Sequence, residues 1–533
     1  MSEKKLDYLN TRLAHLKAMR MPWEALWDKC AELCANDSRI YTFNAQGKLK
    51  QNLFDTTAVN ALQTFTASLK SIICPTNARY HRLKATNPKL QNDDRIRKYI
   101  EYANDLCFKF RYAAGSGFSS EADLLFNSLG IVGHRAWLVE DDVGFGILYR
   151  AIPINQTYID VNRYNKVDTV YRVYELSAKS AIEQFKDKAT TRLKAVADKE
   201  PDKILSFLHA VEPRQDRNLK YKDALNMPIA SYNVWLDEGE LLYESGYRVM
   251  PYMVPRYLCR DNSAYANSPT CQAFFDILTA SEMGKTFLRT GQLQANPALL
   301  TNMINGAAKA GSPGSVIKDA LTNDGKPKIM PMQYGANLAI TLEMQNKYRE
   351  IIETAFLKPL FISLQNLSNL SATEVLERKA ERGVLLAPMA ERITSEWLYG
   401  NVMRELDIIA SYGMLDDVPQ ELFYDGSIGL EFESPAVHMQ NAGKIMGLYK
   451  TIESSMSLAQ VDPSVLDVID FGQAIREIAE YEGAPTKIIR SPEIVASLGE
   501  QKAQAEQAQA LLNAAPALSQ TMKNLNIGNN AIK

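Results

Sequence analysis

Apolar positions at the start of the chain recur at Leu6, Leu9, Leu13, Leu16 and Met19, in steps of three and four. That period places them on one face of a helix, and it predicts helix over residues 1–35. Within it, Met21-Pro22-Trp23-Glu24 reads as a fresh helical turn with proline near its start, and Trp23 and Trp27 stack at i, i+4. Asp55-Thr56-Thr57 caps a second helix through Ala58, Leu62, Phe65, Leu69 and Ile72-Ile73, closed by Pro75. Two more helices are predicted over about 93–113 and 119–129, the latter ending at Gly130.

The period then changes to two. Ala136–Val139 and Ile147–Arg150 flank Glu140-Asp141-Asp142 as a hairpin, and Thr157–Val161 pairs with Val167–Tyr174 around residues 162–166. Ser177 caps a helix through Phe185, a charged stretch covers 186–203, and strands recur near 204–211, 228–235, 240–246 and 252–258. Residues 130–260 therefore read as an antiparallel, strand-rich region inside an α+β, mainly α, chain.

Helical spacing returns after Pro269. Thr270, Ala273, Ile277, Ala280, Gly284, Phe287 and Gly291 form a stripe of mostly small residues, which lets a neighbouring helix approach closely. Residues 295–337 carry many Gly, Pro and Asn, with Lys318, Lys326 and Lys328 among them, and cannot form one long helix. A second long helix is predicted over about 338–358, with Met344, Tyr348, Ile351 and Ala355 on one face and Glu343→Lys347 on another. Ile362–Leu370 reads as an uncharged loop containing Gln365, Asn366 and Asn369. Ser371-Ala372-Thr373-Glu374 is a capping box that opens a helical run to Gly413, with a kink expected near Gly383–Pro388. A hairpin around Asp425-Gly426 follows, returning along Leu430–Glu433, then short helices over 436–490. Residues 493–524 are Ala/Gln-rich with strong helix propensity, broken by Pro516, ahead of a polar, frayed end.

Composition narrows the function classes. The 533 residues carry 60 Lys+Arg against 62 Asp+Glu, so no bulk positive charge is available to grip nucleic acid. At roughly 150 residues per domain the length predicts three or four domains. No run of about 18 apolar residues exists to span a bilayer, and no apolar leader follows Met1, so a reducing cytosolic origin and no membrane partner are expected. The six cysteines are too sparse for a disulfide framework, and Cys30 and Cys34, one turn apart, lack a second ligand pair for a metal. HExxH, GxxxxGK(S/T) and GxSxG motifs are missing, and Gly115-Ser116-Gly117 lacks the third glycine of a dinucleotide loop. Glu140–Asp142 could hold a divalent cation, although a solvated hairpin tip explains it as well. No catalytic constellation, cofactor or metal site is expected, and the remaining enzyme reading is a metal-dependent α+β domain at 130–260.

Two features point outside the single chain. Helices of roughly 21 residues, about 30 Å long, are joined by some 40 non-helical residues, so the hairpin projects from a body and its faces need partners. The Ala/Gln-rich helix has too little bulk for a private core and suits packing among copies of itself. Both favour a cyclic homo-oligomer, against a helical domain packed within one chain.

Several blocks, in this order, resemble the portal (head-to-tail connector) family of short-tailed, T7-like bacteriophages over about residues 10–525. They are Asp55-Thr56-Thr57-Ala58 with Pro75; Tyr149–Pro153 through Ile159 and Val167–Arg172; Glu244–Tyr247 with Pro251 and Pro255–Tyr257; Tyr265–Pro269; and Ser371–Val375 with Arg378, Glu381 and Pro388. Ala266-Asn267 stand where the family usually has Gly-Arg, and Tyr80 where Trp is common.

The resemblance implies a portal fold assembled as a twelve-subunit ring. Residues 1–267 would be the wing, 268–292 and 338–360 the stem helices, 293–337 the clip and 361–371 the channel loop. Residues 372–412 would be a kinked wing helix, 413–490 the crown and 491–533 the barrel helix and tail. The implied function is mechanical: a ring at one capsid vertex, assembled in the host cytoplasm, through which duplex DNA is packaged and ejected. Its implied partners are other copies of itself, duplex DNA held weakly, the terminase large subunit, tail adaptor and tail tube proteins, and scaffold and major capsid proteins. Gln365, Asn366 and Asn369 would touch phosphates through exchangeable hydrogen bonds, with Lys358 as an isolated basic contact. Lys318, Lys326 and Lys328 would face an acidic docking partner. Another ring-forming tail or capsid component is the competing structural reading.

Overall fold

The computed structural model describes residues 2–34, 53–301, 321–332, 338–365, 372–415 and 428–481, with short breaks inside these ranges, and isolated residues of 495–505. The first helix, Ser2–Cys34, runs through Pro22 without a new start. Proline lacks an amide hydrogen, and the chain here is held instead by Arg20. Its guanidinium donates to the carbonyls of Ile154, Asn155 and Thr157 at 3.1, 3.1 and 2.9 Å and pairs with Glu24 at 2.8 Å.

The helix's predicted stripe lies on a five-stranded antiparallel sheet ordered Thr157–Val161, Val167–Ser177, Ile204–Pro213, Ile229–Trp235, Glu240–Tyr247. Side chains alternate faces along a strand. One face carries the cross-strand row Tyr158, Tyr171, Ala210 and Tyr232, which packs on Leu9, Leu13 and Leu16. The opposite face carries Tyr174, Phe207 and Trp235 and is covered by helices Ala178–Phe185 and Thr191–Lys199. The second of these helices rises from the charged stretch, capped by Thr190, whose hydroxyl accepts from the Leu193 amide.

The expected hairpin forms as Ala136–Asp141 against Ile147–Ile152, with Tyr252–Met253 added alongside. The main core joins this sheet to helices Thr57–Ile73, Asp94–Arg111 and Phe118–Ile131. Its centre is a buried polar network. Arg111 donates to both carboxylate oxygens of Glu405, at 2.9 and 2.6 Å, and to Tyr80 Oη at 2.8 Å. Tyr149 and Asn401 also donate to Glu405, and Trp137 donates to Asn401.

Two segments depend on distant partners. The strand at Ile428–Phe432 pairs antiparallel with His81–Ala85, some 350 positions away; the turn expected at Asp425-Gly426 lies outside the described residues. The long helix is α-helical over Ala372–Ile393, with Pro388 inside it, and widens into a π-turn at Thr394–Leu398 before Tyr399–Ser411. The wider turn carries Glu396 to Arg256, whose amide and guanidinium donate to it at 2.9 and 2.6 Å, while Trp397 and Leu398 enter the core.

Candidate channel hairpin

Ser268 opens the hairpin: its hydroxyl accepts from the Cys271 amide at 2.9 Å and donates to Ile131 O at 2.7 Å. A short turn, Pro269–Gln272, leads into the long helix Phe274–Ala295. Ribbon strands Leu299–Thr301 and Ile329–Pro331 continue beyond it, pairing antiparallel, and the chain returns as helix Leu338–Ala355. The two long helices pack against each other. Both thus occupy the predicted places, and the ribbon explains how a Gly/Pro-rich segment connects them.

The small-residue stripe is buried only at its body end. Thr270, Ala273, Ile277, Ala280 and Gly284 are buried, whereas nothing stands within 4 Å of a Cβ placed on Gly291. At Gly284 a Cβ would meet Phe54 O at 2.7 Å, so only glycine lets this backbone approach. The next residue, Asp55, ties the returning helix to the same spot. Its carboxylate accepts from the Thr57 amide at 2.9 Å, from Gln345 Nε2 at 3.1 Å and from Arg349 Nε at 2.7 Å. These contacts hold its carboxyl below the usual aspartate range, although burial alone, the largest single influence, would raise it. Asp55 was expected as a helix cap; its role as the hairpin's anchor has no local sequence signal, because Gln345 and Arg349 lie some 290 positions on.

The returning helix turns Gln345 and Ile352 into the body, with Phe356 just past its end; of the expected apolar face, Tyr348 and Ala355 pack partly buried against the core and Met344 and Ile351 do not. Met344 and Ile351 are exposed, as are Phe275 at 77% and Leu288. The hairpin is therefore seated by one face and presents apolar side chains on another.

Leu357 ends the helix with φ +58°, a left-handed conformation costly for a bulky residue. It is held by its neighbours: Phe356 and Phe361 both pack edge-on to Phe65. The chain then forms helix Lys358–Gln365. This corrects the loop expected from Ile362 onward: Ile362–Gln365 continue the helix because Phe361, four residues from the turn, is buried in the core. Gln365 is the last residue of that helix; Asn366 and Asn369 lie outside the described residues. Lys358 is not an isolated cation, since its Nζ pairs with Glu353 at 2.5 Å. Lys318 also lies outside the described residues. Lys326 is exposed at a tight turn, where its amide donates to Thr322 Oγ1 and its carbonyl accepts from the Thr322 amide, and Lys328 is half-buried on the way into the ribbon.

The other candidate chemistry resolves into structure. Glu140 lies 3.8 Å from Arg150 across the hairpin, and Asp141 accepts from the Tyr412 hydroxyl. No group of three or more potential metal ligands occurs among the described residues.

Residues 6–489 match the family model described as bacteriophage head to tail connecting protein, and the chain belongs to that family. It is 25% identical to the probable portal protein of Bordetella phage BPP-1 over 529 residues, covering 96% of this chain and 94% of the relative. It is likewise 25% identical to the portal protein of Salmonella phage epsilon15 over 533 residues, with the same coverage. Among solved structures, it is similar to a chain in the neck of a native GTA particle, 12% identical with a TM-score of 0.36, covering 77% of this chain and 90% of that one.

Proposed function

We propose that this chain is the portal subunit of a short-tailed phage, twelve copies of which form the ring at one capsid vertex through which duplex DNA enters and leaves. The observation that carries the reading is the family match over residues 6–489. The hairpin supports it: helices 274–295 and 338–355 are pinned to the body at Asp55 and Gly284 and leave Phe275, Met344 and Ile351 for neighbouring subunits to cover. In this reading residues 1–267 form the wing, the two long helices the stem, and 293–337 the clip that docks the terminase large subunit and later the tail adaptor and tail tube. Scaffold and major capsid proteins surround the wing. Residues 372–412 form the long wing helix, 413–490 the crown, and 491–533 a barrel helix and tail. The channel segment proper narrows to about 366–371, because the preceding residues are helical.

The work of such a ring is to let a polyanion slide. Each cation that neutralises a phosphate releases counterions and tightens binding, so a lumen dense in Lys and Arg would hold the duplex still. A chain with 60 basic and 62 acidic residues avoids that in bulk. Asn366 and Asn369 offer weak, exchangeable hydrogen bonds. Lys358 reaches phosphate only by leaving Glu353, which keeps that contact transient. In this reading Lys318, Lys326 and Lys328 meet an acidic docking surface.

Negative-stain electron microscopy with light scattering on the purified chain tests the reading. Rings with a pore wide enough for duplex DNA and a mass near 716 kDa, twelve times 59.7 kDa, are expected. A uniform 59.7 kDa monomer at high concentration would overturn it.

A further inference from the structure

The end of the first helix and the foot of the hairpin bring together two thiols that the portal reading does not use. Cys30 Sγ and Cys271 Sγ lie 3.6 Å apart, against the roughly 2.05 Å of a disulfide. Their positions differ by 241 residues, so tertiary packing alone makes the pair. Each thiol sits on a restrained support. Cys271 is held by the bond from its amide to the Ser268 hydroxyl, and that hydroxyl in turn donates to Ile131 O. Cys30 lies in the main core beside Trp27 and Cys34, on a helix fixed along its length. Cys34 is engaged elsewhere, accepting from Thr270 Oγ1 at 3.3 Å.

The two thiols differ in character. Cys30 is fully buried, whereas Cys271 is only half-buried and so open to a small reagent. The hydrogen bond shared with Cys30 lowers the Cys271 thiol most, burial opposes this, and the neighbouring Ser268 and the charge of Arg260 lower it further. The same bond raises Cys30. A half-buried, more acidic thiol beside a fully buried, less acidic one is the arrangement of an attacking and a resolving cysteine.

We propose that Cys30 and Cys271 form a redox-modification site, in which a hydroperoxide converts the pair to a disulfide that bolts the N-terminal helix to the foot of the hairpin. The Cys271 thiolate attacks the peroxide oxygen, the O–O bond breaks, and for hydrogen peroxide water leaves after protonation. The Cys30 sulfur then attacks the sulfur of the Cys271 sulfenic acid, the S–O bond breaks, and the hydroxide released takes the Cys30 proton to leave as a second water. Two thiols lose two electrons and two protons, and the peroxide takes up both. Reduction by a small dithiol reverses the bond. The bolt crosses from Ser2–Cys34 to the element carrying helix 274–295, so oxidation limits how far the hairpin can shift relative to the body.

Hydrogen peroxide at a few equivalents, applied to the full chain and followed by alkylation under denaturing conditions and peptide mass mapping, tests the site. The expected product is a Cys30–Cys271 peptide two hydrogens lighter than its parts, lost on treatment with dithiothreitol. Cys271→Ser should abolish it and Cys259→Ser should leave it intact. Cys30→Ser should strand Cys271 as a sulfenic acid trapped by dimedone. Oxidation should also shift thermal unfolding upward, and dithiothreitol should restore the original midpoint. Recovery of Cys30 as a free thiol while Cys271 is oxidised further, or linkage of either to another cysteine, would overturn the proposal, and the unmodified chain alone suffices for that result. A disulfide that forms without moving the unfolding midpoint would remove the bolt.

Discussion

Glu405 gathers a buried network, accepting from Arg111, Tyr149 and Asn401 with no exposure of the ion pair. Breaking one side of a buried pair leaves an uncompensated charge and costs about 3–5 kcal/mol. Glu405→Leu should therefore lower the unfolding free energy by that much, read as a lower urea midpoint at an unchanged slope, and adding Arg111→Met should recover most of the loss. Two buried histidines set a pH dependence. Burial, the main cause, pushes His209 and His134 down to about 3 from an ordinary 6.5. The unfolded chain takes up these protons near pH 6.5 while the folded chain refuses them until about pH 3. Their stabilisation is therefore present above pH 6.5 and lost progressively as pH falls toward 3. By pH 5 each histidine should have cost about 2 kcal/mol. His209 bonds Tyr252 Oη and Ser231 Oγ, so His209→Gln, which keeps a polar contact but cannot charge, should flatten the slope of stability between pH 7 and 5. Thermal unfolding across that range measures it. None of these partnerships is visible along the chain: Arg111 and Glu405 are 294 positions apart, and each alone reads as a solvated helical charge.

At the scale of elements, the hairpin's seat depends on how near two backbones can come. Gly284→Ala places a Cβ 2.7 Å from Phe54 O and should destabilise the seat, by about 1–3 kcal/mol for an overpacked contact. Gly291→Ala, in the same helix with nothing within 4 Å, should instead stabilise by up to about 1 kcal/mol through helix propensity. Opposite shifts in the unfolding midpoint of the two variants would confirm the contrast; equal shifts would refute it. The small-residue stripe was legible from its spacing, but where its burial stops was not, since that depends on Phe54 and Asp55 arriving from another part of the chain. For the same reason the helical period alone does not say which face of the returning helix turns inward: the polar Gln345 and Arg349 are drawn in by Asp55 and the apolar Met344 is left outside. The π-turn at 394–398 is a further case. Its register change falls where Glu396 reaches Arg256, a partner 140 positions away that no local signal marks.

For the whole molecule, exposed apolar residues on a seated hairpin define where the ring reading is most vulnerable. Phe275 at 77% and Leu278 at 36% exposure lie on the outer face of the first long helix. Phe275→Glu with Leu278→Glu should leave secondary structure unchanged by circular dichroism and collapse the light-scattering mass from the ring toward 59.7 kDa. A variant that still forms full rings would move the subunit interface elsewhere. Sequence blocks spread over the chain carried the family resemblance, and the match over residues 6–489 bears it out.

The sequence by itself determined the elements: the first helix, the capped helices, the antiparallel strands at 136–177 and 204–247, and two long helices either side of a Gly/Pro-rich link. Those follow from period, capping and turn residues, which act over a few positions and are written locally. Tertiary structure alone decided that strand 428–432 joins 81–85, that Asp55 anchors the hairpin, that Lys358 is neutralised by Glu353, and that Cys30 meets Cys271. Most of these contacts join residues hundreds of positions apart, and even the Lys358 pair waits on the reversal at Leu357. Local periodicity contains no information about which distant surfaces meet, because that choice is made by the total fit of the core.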